Sequence, residues 1–275
     1  PCGEIPLCPY DSCRLLALNL LSYVDNPFTK DAKFNFDLFR THVAKAMRMM
    51  DDIIDLELEK VEQIINKVAS DPEEEDIRKV EYELWKKIKE MALKGRRTGL
   101  GITAEGDMLA ALGLRYGSDE AIDFAVSVHR TLAVEAYRAS VKMAEERGAF
   151  PIYDTEREKG NPMIERIKEA DPELYAQMEK HGRRNIAMLT IAPTGTTSLM
   201  SQTTSGIEPV FRPVYKRRRK INPSDRDKVA TFIDQTGEKF EEYYVYHHQF
   251  VKWLEKNGYD TSKLQTISDE ALNKW

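Results

Sequence analysis

Apolar residues recur at three- and four-residue steps through Phe36, Phe39, Val43, Met47, Met50 and Ile54. That spacing predicts a helix over 36–54 with one apolar face, and a second helix is expected over 57–68. The methionines of the stripe read as adaptable core filler rather than as ligands. Asp71-Pro72-Glu73-Glu74 combines an N-cap, a proline at the first helical position and acids in the first turn. It predicts a helix opening there, running to about Lys94 and stopping at Gly95. Arg96–Ala104, with glycines at 99 and 101, suggests a strand or turn, and a helix should follow over 105–113. Ser118-Asp119-Glu120 opens a long helix that ends at Gly148, and 161–180 is helical and charged. The largely uncharged run 14–24 and the segment Ile186–Ile191 are expected to be buried, the latter as a strand. After residue 208 the pattern predicts a short strand near 209–215 and a helix from about His247 to Lys256. Pro1, Gly3, Pro6 and Pro9 make residues 1–13 a loop. Helices alternating with a few buried strands indicate an α/β architecture.

Composition narrows the function classes. Of the 275 residues, 41% are apolar and 9% aromatic, enough for a core and against a disordered chain. The net charge of −5 is spread along the sequence, which argues against wholesale nucleic-acid binding. No apolar run reaches the ~18 residues of a membrane helix. The cluster Lys216–Lys220 could contact phosphate or nucleic acid, but on an acidic chain it reads first as a solvated strand end. All five histidines are expected to be structural or surface residues, and no metal-ligand spacing occurs. The three cysteines, Cys2, Cys8 and Cys13, lie within the first 13 residues. Three are too few for a disulfide framework. They could be small buried hydrophobes, a zinc set with poor spacing, or a redox or radical site. Free thiols and the lack of a signal-like start predict a cytoplasmic protein. The start at Pro1 reads as a processed end or as a piece of something longer.

One segment stands out chemically. Residues 185–207 carry no charge, and nine of the sixteen residues from Thr190 to Ser205 are Ser or Thr. An apolar strand therefore runs into Pro193-Thr194-Gly195-Thr196-Thr197-Ser198. If a helix opens at Thr196, free amides and hydroxyls converge at its N-terminus, an anion site suited to phosphate. An ordinary Ser/Thr-capped helix start has the same residues, and the ending of a Walker loop is missing. Glu4 follows Cys2 by two residues, so in an extended loop the two side chains point the same way. A carboxylate raises the pKa of a neighbouring thiol, which suits a neutral thiol or thiyl radical rather than a thiolate nucleophile.

These residues have a family likeness. Pro1-Cys2-Gly3-Glu4-Ile5-Pro6-Leu7 with Pro9-Tyr10-Asp11-Ser12-Cys13 closely resembles the finger-loop motif of ribonucleotide reductase catalytic subunits. Ala192–Ser198, followed by Ser205-Gly206-Ile207-Glu208-Pro209, resembles that family's substrate-phosphate loop. Arg96-Arg97-Thr98-Gly99-Leu100-Gly101 with Gly106-Asp107 resembles its middle segment. The Pro-Cys-Gly-Glu wording is most similar to the adenosylcobalamin-dependent branch.

The resemblance implies a ten-stranded α/β barrel with a central finger loop, of which this chain is about half. It implies one partial domain over 1–275: finger loop and redox cysteine in 1–13, half-barrel in 14–215, charged extension in 216–275. Cys2 becomes the radical cysteine, Glu4 the general base and Cys13 one member of a redox pair, while Cys8 matches no role. Pro193, Thr194, Gly195, Thr196, Thr197 and Ser198 become the substrate-phosphate site. The implied partners are a ribonucleotide, the N-terminal half of the reductase and a thioredoxin-like or dithiol reductant. The implied cofactor, adenosylcobalamin, sits mostly outside this chain. The cysteine that would pair with Cys13 is expected upstream, so the chain should not turn over alone. A nucleotide-binding or assembly module, inactive by itself, and the iron- or manganese-radical branch remain alternatives. Tyr243-Tyr244 reads as strand packing.

Overall fold

The structure is a computed structural model describing residues 4–222, 224, 225 and 227–273. It is mixed α/β. Strand β1 (Arg14–Asn19) pairs in parallel with β4 (Thr98–Thr103), with Arg14 opposite Thr98 and Asn19 opposite Thr103. A short antiparallel pair, β2 (Val24–Asp25) and β3 (Lys33–Phe34), follows β1. Helices α1 (Phe36–Ala69) and α2 (Glu75–Gly95) come before β4, and α3 (Glu105–Ala111) and α4 (Asp119–Arg147) after it. Short helices α5 (Thr155–Glu158), α6 (Pro162–Ala170), α7 (Pro172–His181) and α8 (Gly195–Ser201) lead to an antiparallel sheet. Its strands, β5 (Val214–Lys220), β6 (Phe232–Ile233) and β7 (Lys239–Tyr246), lie in the order β5-β7-β6, and α9 (His248–Lys256) and α10 (Asp269–Asn273) close the chain. Among the described residues the parallel strands are two, and no barrel closes around them. No described helix is long and apolar enough to cross a membrane.

The core sits between α1, α4 and the β1–β4 pair. Phe39, Val43, Met47, Met50 and Ile54 are fully buried, so the methionine stripe is core. The helices expected over 36–54 and 57–68 are one continuous helix of 34 residues, about 51 Å long. The acids near this junction are paired. Asp51, fully buried, accepts hydrogen bonds from Arg96 Nε (2.9 Å), Arg147 Nη1 (3.1 Å), Arg184 Nε (3.3 Å) and Asn185 Nδ2 (3.2 Å). Arg96 also reaches Asp55 and Arg147 reaches Asp52. The carboxylates of Asp51, Asp52 and Asp55 could geometrically hold a cation, but three guanidiniums already balance their charge. Burial alone would push the Asp51 carboxyl up; hydrogen bonds and charge from Arg96 and Arg184 outweigh it and hold the group below the usual carboxylate range.

Other boundaries differ for local reasons. α2 begins at Glu75, not near Asp71, because the Asp71 amide closes the end of α1 on Val68 and its side chain takes Lys67. The helical stretch 161–180 is two helices. Pro172 cannot continue α6, and Asp171 both ends α6 and caps α7 through the Leu174 amide. The run 14–24 is only partly buried, with Leu15 58% exposed, since β1 pairs with β4 on one edge only. Residues 186–191 run beside β4 through Thr98 N–H to Ala187 O, Leu100 N–H to Met188 O and Thr190 N–H to Leu100 O. They form one parallel bridge, Leu100–Leu189, instead of a full strand. The basic cluster is strand β5 itself. Arg218, Arg219 and Lys220 face Glu242, Glu241 and Glu238 near β7, which balances the cluster's charge across the sheet.

Candidate functional site

The loop before β1 lies across β4 because β4 has glycines where it approaches. A Cβ on Gly99 would come within 2.3 Å of Cys13 Sγ and 3.2 Å of Thr190 Cγ2. A Cβ on Gly101 would come within 2.7 Å of the Thr190 carbonyl oxygen. The i, i+2 glycines thus clear one face of the strand for the loop and for Thr190. Three contacts pin the loop. Thr190 Oγ1 donates to the Glu4 carbonyl (3.0 Å), and Arg97 Nε donates to Asp11 Oδ2 (2.6 Å). Arg14 Nη1 donates to the Ser12 carbonyl (3.0 Å), while the same guanidinium forks onto Glu57 with two bonds of 2.6 Å.

Cys13 is half-buried and Cys8 exposed; both are free thiols. Burial pushes the Cys13 thiol up. Arg97 and Arg14 pull it down, and Glu4 and Asp11 push it up again. The net shift is upward, so Cys13 is a neutral thiol at neutral pH. The Glu4 charge acts on this thiol, which puts two of the sequence-selected residues in one electrostatic neighbourhood. Cys2 lies outside the described residues.

The uncharged loop hangs from the C-terminal end of β4, the end at which α/β folds place their ligands. Thr194, in a left-handed conformation (φ 52°), begins the turn into α8. Its hydroxyl donates to Thr103 Oγ1 (3.0 Å) and accepts from the Gly206 amide (2.8 Å), while Thr103 Oγ1 donates to the Thr204 carbonyl (3.2 Å). These bonds form one continuous chain. Ser198 Oγ donates to the Gly195 carbonyl. The hydroxyl protons of Thr194 and Ser198 are therefore committed within the fold, to β4 and to the loop respectively. Gly195, Thr196 and Thr197 are exposed, and their amides lead the first turn of α8. Pro193 is exposed beside them. Of the six residues expected to meet phosphate, these backbone amides and the Thr196 and Thr197 hydroxyls are the groups presented outward.

The loop's second half caps α3. The Ala104 amide donates to Thr204 O (3.0 Å), that of Glu105 to Gly206 O (3.3 Å) and that of Asp107 to Thr204 Oγ1 (3.2 Å). Asp107, 3% exposed, accepts the Thr204 amide on Oδ2 (2.8 Å) and pairs through Oδ1 with His247 Nε2 (2.7 Å). Sequence reasoning placed His247 among the structural or surface residues, and the 140 positions between the partners carry no periodic signal. The roles of Thr103 and Thr190 were likewise not foreseen. Gly106 lets the loop lie this close: a Cβ there would meet Glu208 O at 2.5 Å and Pro209 Cα at 2.8 Å. Gly106→Ala gains about 1 kcal/mol of helix propensity, but both obstacles are backbone, and the overpacking cost of about 1–3 kcal/mol wins. A urea titration should show a lower midpoint, the reverse of the usual result for a helical Gly→Ala change.

A family model described as the ribonucleotide reductase barrel domain matches residues 1–274. The chain belongs to the ribonucleotide reductase family. It is 33% identical, over 94% of its length, to a vitamin B12-dependent ribonucleoside-diphosphate reductase of Thermoplasma acidophilum, covering 27% of that protein. It is 33% identical over 79% of its length to the protein of the same name from Mycobacterium tuberculosis, covering 24% of it. It is also 26% identical over 74% of its length to a ribonucleoside-diphosphate reductase subunit alpha of Chlamydia pneumoniae, covering 18% of that protein. The chain spans about a quarter of the length of the first two.

Proposed function

We propose that this chain is the catalytic, finger-loop-bearing part of a ribonucleoside-diphosphate reductase and acts together with the N-terminal half of the barrel. The observation that carries the reading is the joint placement of Glu4, a neutral Cys13 and the 193–198 loop about one glycine-cleared strand. Cys2, as a thiyl radical, takes the hydrogen atom from C3′ of the ribose. Glu4 accepts the 3′-hydroxyl proton as general base. The 2′-hydroxyl leaves as water after taking a proton from a thiol. Cys13 and a partner cysteine from the rest of the enzyme supply two electrons and end as a disulfide. The hydrogen atom returns from Cys2 to C3′. The net change is ribonucleotide plus two thiols to deoxyribonucleotide, disulfide and water, and a dithiol reductant resets the pair. A thiol kept protonated suits this work, since Cys13 must deliver a proton as well as an electron.

The amides of Gly195, Thr196 and Thr197 with the Thr196 and Thr197 hydroxyls hold the substrate phosphate, and Pro193, Thr194 and Ser198 shape that turn. Relatives named for diphosphate reduction support a diphosphate substrate, and relatives named for vitamin B12 support cobalamin as the radical source. The described residues do not themselves fit a cobalamin site. The cavity between α4 and α6, about 520 Å³, lies among Val126, His129 and Met163 on the helical side and not at Cys13. Of the histidines, His42, His129 and His247 are already paired, with Tyr23, Glu105 and Asp107. Bound by the rest of the enzyme, cobalamin would supply the radical that Cys2 carries.

The test is ribonucleoside-diphosphate reduction with adenosylcobalamin and dithiothreitol, using this chain alone and mixed with an N-terminal half. Product only in the mixture is the expected result. Nucleotide binding without product, in halves shown to associate, would favour the binding-module alternative instead.

A further inference from the structure

We infer that His247 and Gln249 are positioning residues for the substrate-phosphate loop, clamping its far end so that the first-turn amides of α8 meet phosphate in one fixed place. This rests on the reading of residues 193–198 given above. The near end of the loop is anchored by Thr194 on Thr103. The far end needs an anchor of its own, because α8 is only seven residues long and ends at Gln202 in a left-handed conformation (φ 57°). Two bonds from one turn supply it. Gln249, 4% exposed, donates from Nε2 to the Gln202 carbonyl (3.0 Å). His247 holds Asp107 Oδ1 and so fixes the rotation of the carboxylate whose Oδ2 takes the Thr204 amide. The His247 amide in turn donates to Pro213 O (2.8 Å), which ties the turn to the base of the β5–β7 sheet. That sheet is thereby linked to the phosphate loop through a buried carboxylate. In this arrangement His247 acts on the loop through Asp107 of α3 and Gln249 acts at Gln202, both away from the exposed Gly195–Thr197 turn, so their loss should weaken substrate binding and leave the chemical step alone.

The variants are His247→Ala, His247→Gln (which keeps a donor near the Nε2 position), Gln249→Ala and, as control, His248→Ala at the exposed neighbour. Amide hydrogen exchange on the full chain should show Thr204 and Gly206 exchanging about tenfold faster in His247→Ala. His247→Gln should recover most of the protection, and Leu100 and Thr190 in the strand layer should be unchanged. In the reconstituted reductase, KM for the nucleotide should rise about tenfold in His247→Ala and Gln249→Ala, with kcat within about twofold. Unchanged exchange at Thr204 would overturn the clamp. Faster exchange with an unchanged KM, or a lowered kcat without rescue by glutamine, would overturn the positioning role. The same effects in His248→Ala would reduce the result to general packing and overturn it too. If the wild-type mixture makes no deoxyribonucleotide, the reductase reading itself fails and the substrate role falls with it; the exchange result identifies which of the two has failed.

Discussion

Cys2→Ser should abolish deoxyribonucleotide formation, by a factor on the order of 10⁴ or more, in a mixture where the wild-type chain is active. A serine keeps the size and hydrogen-bonding capacity of the residue. Its O–H bond is stronger than an S–H bond, so an oxygen-centred radical would not form at the same energy or return its hydrogen in the same way. Cys13→Ser separates the two thiol roles. It should also block product, because the pair can no longer deliver two electrons. It should leave the first step intact, so washout of isotope from C3′ of the nucleotide into solvent should persist in Cys13→Ser and vanish in Cys2→Ser. Isotope washout that survives Cys2→Ser would remove Cys2 from the radical role. Equal loss of washout in both variants would mean that Cys13 acts earlier than the redox step.

Asp51→Ala should have the largest effect on stability, about 3–5 kcal/mol, because it removes the buried carboxylate shared by Arg96, Arg147 and Arg184 and leaves Arg96 and Arg147 only the exposed Asp55 and Asp52. The pH dependence has a definite sign. The folded-state pKa of Asp51 is depressed below its unfolded value. Its stabilising contribution is therefore fully present above the unfolded carboxylate pKa of about 4, and it is lost as pH falls through the folded value. Unfolding midpoints in urea should show the gap between wild type and Asp51→Ala at neutral pH and a narrower gap below about pH 3. A constant gap across that range would assign the effect to packing rather than charge.

Much of this molecule was legible in the chain. The stripe from Phe36 to Ile54 indicated a buried helix face, Ser118 and Gly148 marked both ends of α4, and Gly95 marked the end of α2. The glycines at 99 and 101 signalled close approach, though not what approaches. Local signals failed where a distant partner overrode them. The two helices expected over 36–54 and 57–68 are one, and the acids at their junction are paired with Arg96 and Arg147. The Asp71 cap was diverted to the end of α1. The candidate site was legible as residue types within 1–13 and 193–198. Its scaffold was not, because Thr190, Thr103, Asp107 and His247 become neighbours only through the tertiary fold.

The Asp51 cluster also dictates when the chain can fold. Its ligands lie 45 to 134 positions further along the sequence. At typical synthesis rates, on the order of ten seconds separates the emergence of α1 from that of Arg184 and Asn185. The apolar face of α1 lacks its β4 and α4 cover until residues 98–147 have emerged, and Asp51 lacks its last two partners until Arg184 and Asn185 follow. Closure of the cluster is thus a late, long-range event of the kind that slows folding. A nascent chain stopped before β4 would present the uncovered apolar face of α1 to proteases and chaperones, while one that has passed Asn185 could close both its core and the Asp51 cluster.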